Sequence, residues 1–358
     1  MLKSICNIFE VSLVIIGTLV GAGFASGKEI YIFFNIYGTF GIIGFFITCI
    51  IFSLIIYKVL KLTNIMNISS YSKFLKNINP KNYKIIKEII STFLLISFYI
   101  MVAGISAYFK QKFNIPEIFT SIIMSFICYQ ILKRNIKGII LLNKFLVPFI
   151  IVFIIFLGVK NIDYALDYRF EISKTNLNYF KFIVSSILYS SYNSIILIPI
   201  IVELREKIYN RKSTIIVTLI TFLILFVLGI NIIFIIQSAG KCLQNVELPM
   251  VEIVKKFGNI NQKLYGIVII IAILTSAIAS GHNFLEEINE KNGTFKIELL
   301  LMCIIAPVIS QIGFSKLVKF LYPIFGLLGI WQIYNIFSYK IEGKKLLKKT
   351  DKTDITYL

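Results

Sequence analysis

Gly17-Thr-Leu-Val-Gly-Ala-Gly-Phe-Ala-Ser-Gly-Lys-Glu29 lies inside an apolar segment, about 8–34, that is long enough to cross a bilayer. Gly17, Gly21, Gly23 and Gly27 all fall within this stretch. Each weakens a helix by about 1 kcal/mol, so a simple anchor has no reason to concentrate them. Two readings compete. Glycines four apart (Gly17/Gly21, Gly23/Gly27) would let two helices approach closely. Alternatively, Val20-Gly21-Ala22-Gly23 is a break whose carbonyls and N–H groups face a cavity. Irregular backbone at that depth survives only when buried in protein or lining water. The Gly-x-Gly spacings, Ser26 and the adjacent charges Lys28 and Glu29 favour the break.

The rest of the chain supplies a membrane setting. Its 358 residues are 57% hydrophobic and only 15% charged, with a mean hydropathy of +0.84. No soluble globule needs that much apolar surface, so a polytopic membrane protein is expected. The net charge of +19 would ordinarily point to nucleic acid. Here the lysines cluster between apolar spans, which reads as topology information, with attraction to anionic lipid headgroups a secondary effect. No nucleic-acid partner is expected; the bilayer is. Cys6, Cys49, Cys128, Cys242 and Cys303 form no C-x-x-C pair, so buried thiols are expected rather than disulfides or metal ligands. No small-residue cleavage site follows a short N-terminal apolar run, so no removable signal peptide is expected.

Ten apolar spans of roughly bilayer length follow one another. They cover about 8–34, 39–60, 86–109, 115–132, 138–159, 179–202, 213–236, 264–282, 296–313 and 317–338. The fourth and ninth are the shortest. With the N-terminus inside, the inner segments hold 24 lysines and arginines against 12 outside, Lys28 being left over. That bias predicts a cell-membrane protein with both termini cytoplasmic. Residues 61–84 read as a basic cytoplasmic connector. The outer segment 241–263 carries apolar residues at partly helical spacing, consistent with either a short interfacial helix capping the outer mouth or an ordinary loop.

Span six reads Phe182-Ile-Val-Ser-Ser-Ile-Leu-Tyr-Ser-Ser-Tyr-Asn-Ser-Ile195, and Pro199 follows. Ser190, Ser191, Tyr192, Asn193 and Ser194 are five polar residues in mid-span. Ser and Asn compete with the helix for nearby backbone, and Pro199 removes an N–H. A second broken helix is therefore expected there. Two breaks half a chain apart, each opening a set of five spans, predict an all-helical inverted repeat with its site at the midplane. The expected organisation is a first repeat over 1–160, an extracellular linker over 161–178, a second repeat over 179–339 and a basic cytoplasmic tail over 340–358.

Val20-Gly-Ala-Gly-Phe24, followed by Ala-Ser-Gly-Lys-Glu29, resembles the signature of bacterial YkvI-like membrane proteins. More widely it resembles the amino acid–polyamine–organocation superfamily and sodium symporters of the five-plus-five LeuT fold. Ala272-Ile-Leu-Thr275-Ser276-Ala-Ile, leading to Phe284-Leu-Glu-Glu287, is similar to span eight of those symporters. The resemblance implies a secondary transporter rather than an enzyme. No phosphate loop, metal-ligand cluster or nucleophile–base constellation argues otherwise.

The resemblance also implies a sodium site between spans one and eight, formed by the Gly17, Val20 and Ala272 carbonyls with the Thr275 and Ser276 hydroxyls. Neutral oxygens suit a hard cation, and 272, 275, 276, 279 and 283 share one helical face. Packing of small residues, with hydroxyls bonded to the preceding turn, explains that face as well. Sodium is the one accessory ion implied; no other cofactor is expected. A small zwitterionic or amine solute, resembling an amino acid, would lie beside it. Its carboxylate would meet the N–H groups of Gly21, Ala22, Gly23 and Phe24, and its ammonium the groups around Ser190, Ser191, Tyr192 and Asn193. Tyr99 and Tyr108 on span three would close the site. Glu10, Lys28, Glu29 and Glu203 are the intramembrane charges, hence gating or proton candidates. The family's outer gate pairs an Arg on span one with an Asp on span ten. Here Gly27 stands at the first position and span ten lacks an acid, so proton coupling remains the alternative. His282 reads as an interfacial residue more readily than as a proton relay. A sensor or structural protein that kept the fold without transporting is a further alternative.

Overall fold

The computed structural model describes residues 2–133, 137–161, 178–239, 243, 246–292 and 295–340. Residues 162–177 of the expected linker, the tail beyond Lys340 and Cys242 lie outside the described residues. Among those described, the chain is all helix: α1 Leu2–Leu19, α2 Ala22–Ala25, α3 Lys28–Phe33, α4 Thr39–Met66, α5 Tyr71–Ile78, α6 Tyr83–Phe113 and α7 Glu117–Lys133. There follow α8 Lys137–Lys160, α9 Asn178–Glu203, α10 Arg211–Ser238, α11 Pro249–Ile253, α12 Asn259–Asn292, α13 Phe295–Ser310 and α14 Phe314–Ser338. A backbone closed on itself in helices is what hydrocarbon surroundings demand.

Six of these helices are long and apolar enough to cross a bilayer: α4, α6, α9 with the turn after it, α10, α12 and α14. This is a multi-pass membrane protein. The other expected spans are helical too, but broken (α1 to α3) or shorter in their apolar part (α7, α8 and α13). The exterior exposes Phe119, Phe126, Val152, Leu223, Val308 and Phe320, while serines such as Ser186, Ser190 and Ser194 are buried. That reversal of the soluble pattern is a lipid-facing girdle around a partly polar core.

Lipid gives helices no hydrophobic incentive to meet, so close backbone approach must hold them. The face of α14 shows this. A Cβ on Gly329 would overlap the Ser191 carbonyl, and one on Gly326 would come within 2.8 Å of the Leu188 oxygen. The α9 backbone therefore lies directly on α14. On its other side α9 meets α4, where Gly44 leaves room for the Ser186 hydroxyl. Two long pairs, α4 with α10 and α6 with α12, also pack extensively.

Two expectations need correction. Span six is not broken: α9 runs unbroken through Ser190–Asn193 and past Pro199. Its polar side chains bond back to their own helix, Ser190 Oγ to Ser186 O at 2.8 Å, Asn193 Nδ2 to Tyr189 O at 3.0 Å and Ser194 Oγ to Ser191 O at 2.6 Å. They thus supplement the helical carbonyls instead of competing for them. The second correction concerns 241–263. A short helix is present there, but Pro249, Met250, Val251 and Ile253 are buried in protein rather than laid on an interface. The connector 61–84 holds the extension of α4 and the amphipathic α5. This helix buries Phe74 and Leu75, and its Tyr71 hydroxyl accepts from Gln332 Nε2 at 2.6 Å.

Candidate functional site

Span one breaks where the glycines fall. The last bond of α1 runs from Val20 N to Ile16 O at 2.7 Å, and the next along the chain from Ala25 N to Gly21 O at 3.0 Å. Among the described backbone bonds, the N–H groups of 21–24 and the carbonyls of 17–20 are left out of the helical ladder. Such groups are costly at bilayer depth unless something polar meets them. Gly21 is extended in ψ (φ −53°, ψ −175°), which turns the chain out of α1. A second interruption follows at Gly27, held at φ +76° with Met250 Cγ 2.7 Å from where a Cβ would stand. Only glycine meets both conditions.

The two sides of the break differ. Ala22 to Ile30 are all buried, sealed by the segment 246–253. Met250 N donates to Ser26 O at 3.1 Å and Lys28 Nζ to Val246 O at 2.7 Å. Gln111 exchanges two bonds with the Leu248 backbone, and Glu247 accepts from Ser315 N at 2.7 Å. The Tyr265 hydroxyl donates to the Ala25 carbonyl. Toward the N-terminus of α1, by contrast, Gly17, Thr18, Gly21 and Ser276 are half-buried, and Ala279 and Asn283 are exposed. There α1 packs chiefly on α8, α9 and α10, whereas α2 packs on α12.

The residues matched to a sodium site converge in part. The Ser276 hydroxyl lies 3.7 Å from the position of a Gly21 Cβ, so the break faces the small-residue stripe of α12. Ala272 and Thr275 are buried in that stripe. The Thr275 hydroxyl contacts its own helix, Ile271 O at 2.9 Å and Ala272 O at 3.1 Å, leaving lone pairs to accept a cation. Gly17 turns toward Val147 of α8, and Val20 is buried.

The anticipated solute residues scatter more. Ala22, Gly23 and Phe24 form the first turn beyond the break. Ser190 and Ser191 are buried, with the Ser191 carbonyl against α14. Tyr99 lines an apolar cavity of about 640 Å³ with Ile96, Ile309, Ile312 and Phe320. The Tyr108 hydroxyl fills the space above Gly266 of α12.

Of the four charges, Glu10 accepts from Lys207 Nζ at 2.7 Å, pinning α1 to the turn after α9, and Glu203 is exposed. His282 lies 3.3 Å from Glu286 Oε1. Glu29 alone points back into the break. It accepts from the Tyr192 hydroxyl at 2.7 Å and the Tyr189 hydroxyl at 3.4 Å, and any side chain at Gly23 would overlap its carboxyl. Tyr189 and Tyr322, which complete this nest, were not anticipated. Tyr189 and Tyr192 are three residues apart and so share one face of α9, but among nineteen tyrosines that spacing carries no signal until Glu29 is placed beside them.

A membrane bundle whose first span is interrupted at a small-residue helix is the LeuT-like class of fold, and known proteins agree. Over 333 residues the chain is 24% identical to the membrane protein YkvI of Bacillus subtilis (strain 168), itself uncharacterized, covering 90% of this chain and 92% of YkvI. No family model matches. MhsT, solved in complex with L-phenylalanine, superposes with a TM-score of 0.65 at 17% identity over 96% of this chain and 92% of MhsT. The manganese transporter of Eremococcus coleocola, in complex with an aromatic bis-isothiourea compound, gives 0.64 at 12% identity over 97% and 81%. The YkvI-like resemblance and the LeuT-like fold stand.

Proposed function

We propose that the chain is a secondary transporter of a small zwitterionic or amine solute, resembling an amino acid, working by alternating access and coupled to sodium. The observation that carries this reading is the break itself. Four N–H groups and four carbonyls are freed within eight residues, 17–24, and they face a helix that offers hydroxyls. The amides suit a carboxylate and the carbonyls a hard cation. A structural or sensing membrane protein has no need of the carbonyl half.

Further support comes from the asymmetry around the break. One side is sealed by the 246–253 segment, while the other is open along α1 and α12. In this reading the open side is cytoplasmic, both termini are cytoplasmic, ten spans cross the cell membrane, and the state described is inward-facing. The α4–α10 and α6–α12 pairs, each joining helices five spans apart, fit an inverted repeat in which span six has kept its helix. Shared solute and cation contacts in one closed state would couple their gradients. MhsT carries L-phenylalanine in its structure and the Eremococcus protein is named for manganese. Amides and hydroxyls with one buried acid fit an amino-acid-like cargo better than a soft or divalent metal.

A thermal-shift screen of the purified protein against amino acids and amines, in sodium and in choline buffers, tests the reading. A true ligand at a hundred times its Kd stabilises by about 2.7 kcal/mol. Stabilisation by one solute class, stronger in sodium, and uptake of that solute into proteoliposomes are expected. Binding without uptake would point to a sensor, and equal binding in both buffers would remove sodium. Reporter fusions at Leu358 and within 61–84 should both report the cytoplasm.

A further inference from the structure

The nest around Glu29 has chemistry that the sodium-coupled reading leaves unused. Glu29 is buried, and among the described residues its polar partners are phenols: Tyr192 at 2.7 Å and Tyr189 at 3.4 Å. No cation stands within ion-pair distance among the described residues. Its neighbour Lys28 turns the other way, donating to Val246 O, with Glu247 and Lys319 near enough to act on it electrostatically. The other groups that face Glu29 are neutral. From α14 comes Tyr322, its ring 4.4 Å from that of Tyr192, and from α4 comes Cys49, beside Tyr189. Phe33 and Phe34 wrap Tyr189 with edge contacts at 5.3 and 5.0 Å. A carboxylate left unpaired in such a place is costly, whereas a carboxylic acid is not.

The position matters as much as the burial. Glu29 reaches back from α3 across the interruption at Gly27 to lie against Gly23, and its phenol donors belong to α9. It therefore links the outer half of the broken span to the helix that packs on both α4 and α14. A charge there cannot stay sealed, so the shape of the bundle and the charge of this group are tied to each other.

We propose that Glu29 is a proton-binding site whose occupancy governs opening of the sealed side of the break, so that a proton moves with the solute in addition to the cation. Resting on the transport reading above, the step is a simple protonation. One carboxylate oxygen takes a proton from water in a state where the 246–253 segment has withdrawn. The Tyr192 hydroxyl continues to donate to the other oxygen, and the neutral acid then tolerates closure. In the state described the other side is already open and Glu29 is still buried; the proton leaves once water enters along α1 and α12 as far as Gly23 and takes it up. Closure and protonation favour each other reciprocally.

The test is a pH titration of the full-length protein in lipid by infrared difference spectroscopy, following the carbonyl stretch of protonated carboxylic acids. Wild type, Glu29→Gln, Tyr192→Phe and Glu10→Gln are compared. Wild type and Glu10→Gln should show a titrating buried acid band that Glu29→Gln lacks. In Tyr192→Phe the band should remain but titrate at higher pH, because the carboxylate has lost a donor that favours its charged form. An unchanged difference spectrum in Glu29→Gln overturns the proposal, and so does an unmoved midpoint in Tyr192→Phe, which keeps the question decidable should Glu29→Gln fail to fold. The band does not depend on uptake, so failure of the transport reading would leave it in place. Where uptake is measurable, its pH dependence should vanish in Glu29→Gln, and a retained dependence would refute the coupling role.

Discussion

Spans one and six carry small and polar residues at the same relative depth, yet only the first is broken. In α9 Ser190, Asn193 and Ser194 have donors of their own, and each reaches a carbonyl three or four residues back. The helix keeps its ladder and adds bonds to it. In span one the interruptions fall at Gly21 and Gly27, with Gly23 between them, and glycine has nothing to offer in return. The N–H groups of 21–24 and the carbonyls of 17–20 stay out of the helical ladder, and the chain bends twice. Polar content alone does not unwind a buried helix. The break goes with glycine instead: Gly21 turns the chain out of α1, and at Gly23 and Gly27 other parts of the protein, Glu29 and Met250, occupy the space a side chain would need.

That contrast can be broken by filling the space. Gly23→Ala places a methyl on the Glu29 carboxyl, and overpacking of this kind costs about 1–3 kcal/mol. The largest expected effect is therefore a clearly lowered unfolding temperature together with loss of solute binding, read by thermal shift with and without solute. A tolerated Gly23→Ala would show that Glu29 does not rest there. Next in size is the cation. Thr275→Ala with Ser276→Ala removes two hydroxyl oxygens from the stripe facing Gly21. Losing even one charge-assisted contact costs about 1.5–3 kcal/mol, so sodium for half-maximal solute binding should rise at least about tenfold with the fold unchanged. Unchanged sodium dependence would assign the hydroxyls to helix packing. The smallest effect belongs to span six. Ser190→Ala deletes a bond inside an intact helix, and even side-chain bonds between membrane helices are worth only about 0.6 kcal/mol on average. A near-neutral change in unfolding and in solute binding is expected, and a large loss of binding would make α9 part of the solute site.

Much of this was legible from residue types. Glycines without partners marked the break, and the apolar runs fell on helices, six of them long and apolar enough to cross a bilayer, because hydrocarbon surroundings leave the chain few alternatives. The Ser276 stripe was legible from its spacing. Span six misled because sequence records which residues can compete with a helix and not where their hydroxyls point. Glu29 was legible as a charge that needed a reason, but not its nest, since Tyr189, Tyr192 and Tyr322 come from two distant helices. The seal by 246–253 was legible only as one of two readings, a short capping helix against an ordinary loop. That Pro249 to Ile253 would be buried rather than interfacial was not legible, since nothing in their spacing shows the contact of Met250 with Ser26 and Gly27.

The central claim, that the opening in span one is the binding site, is tested most directly at Gly21. A methyl there meets the Ser276 hydroxyl at 3.7 Å and the Thr18 carbonyl at 3.9 Å, ordinary contact distances, whereas a larger side chain must fill the gap between α1 and α12. Solute binding by purified Gly21→Ala and Gly21→Leu, each first shown to insert and fold as wild type does, is the measurement. The account predicts binding retained in Gly21→Ala and abolished in Gly21→Leu. Full binding by a well-folded Gly21→Leu protein would contradict it.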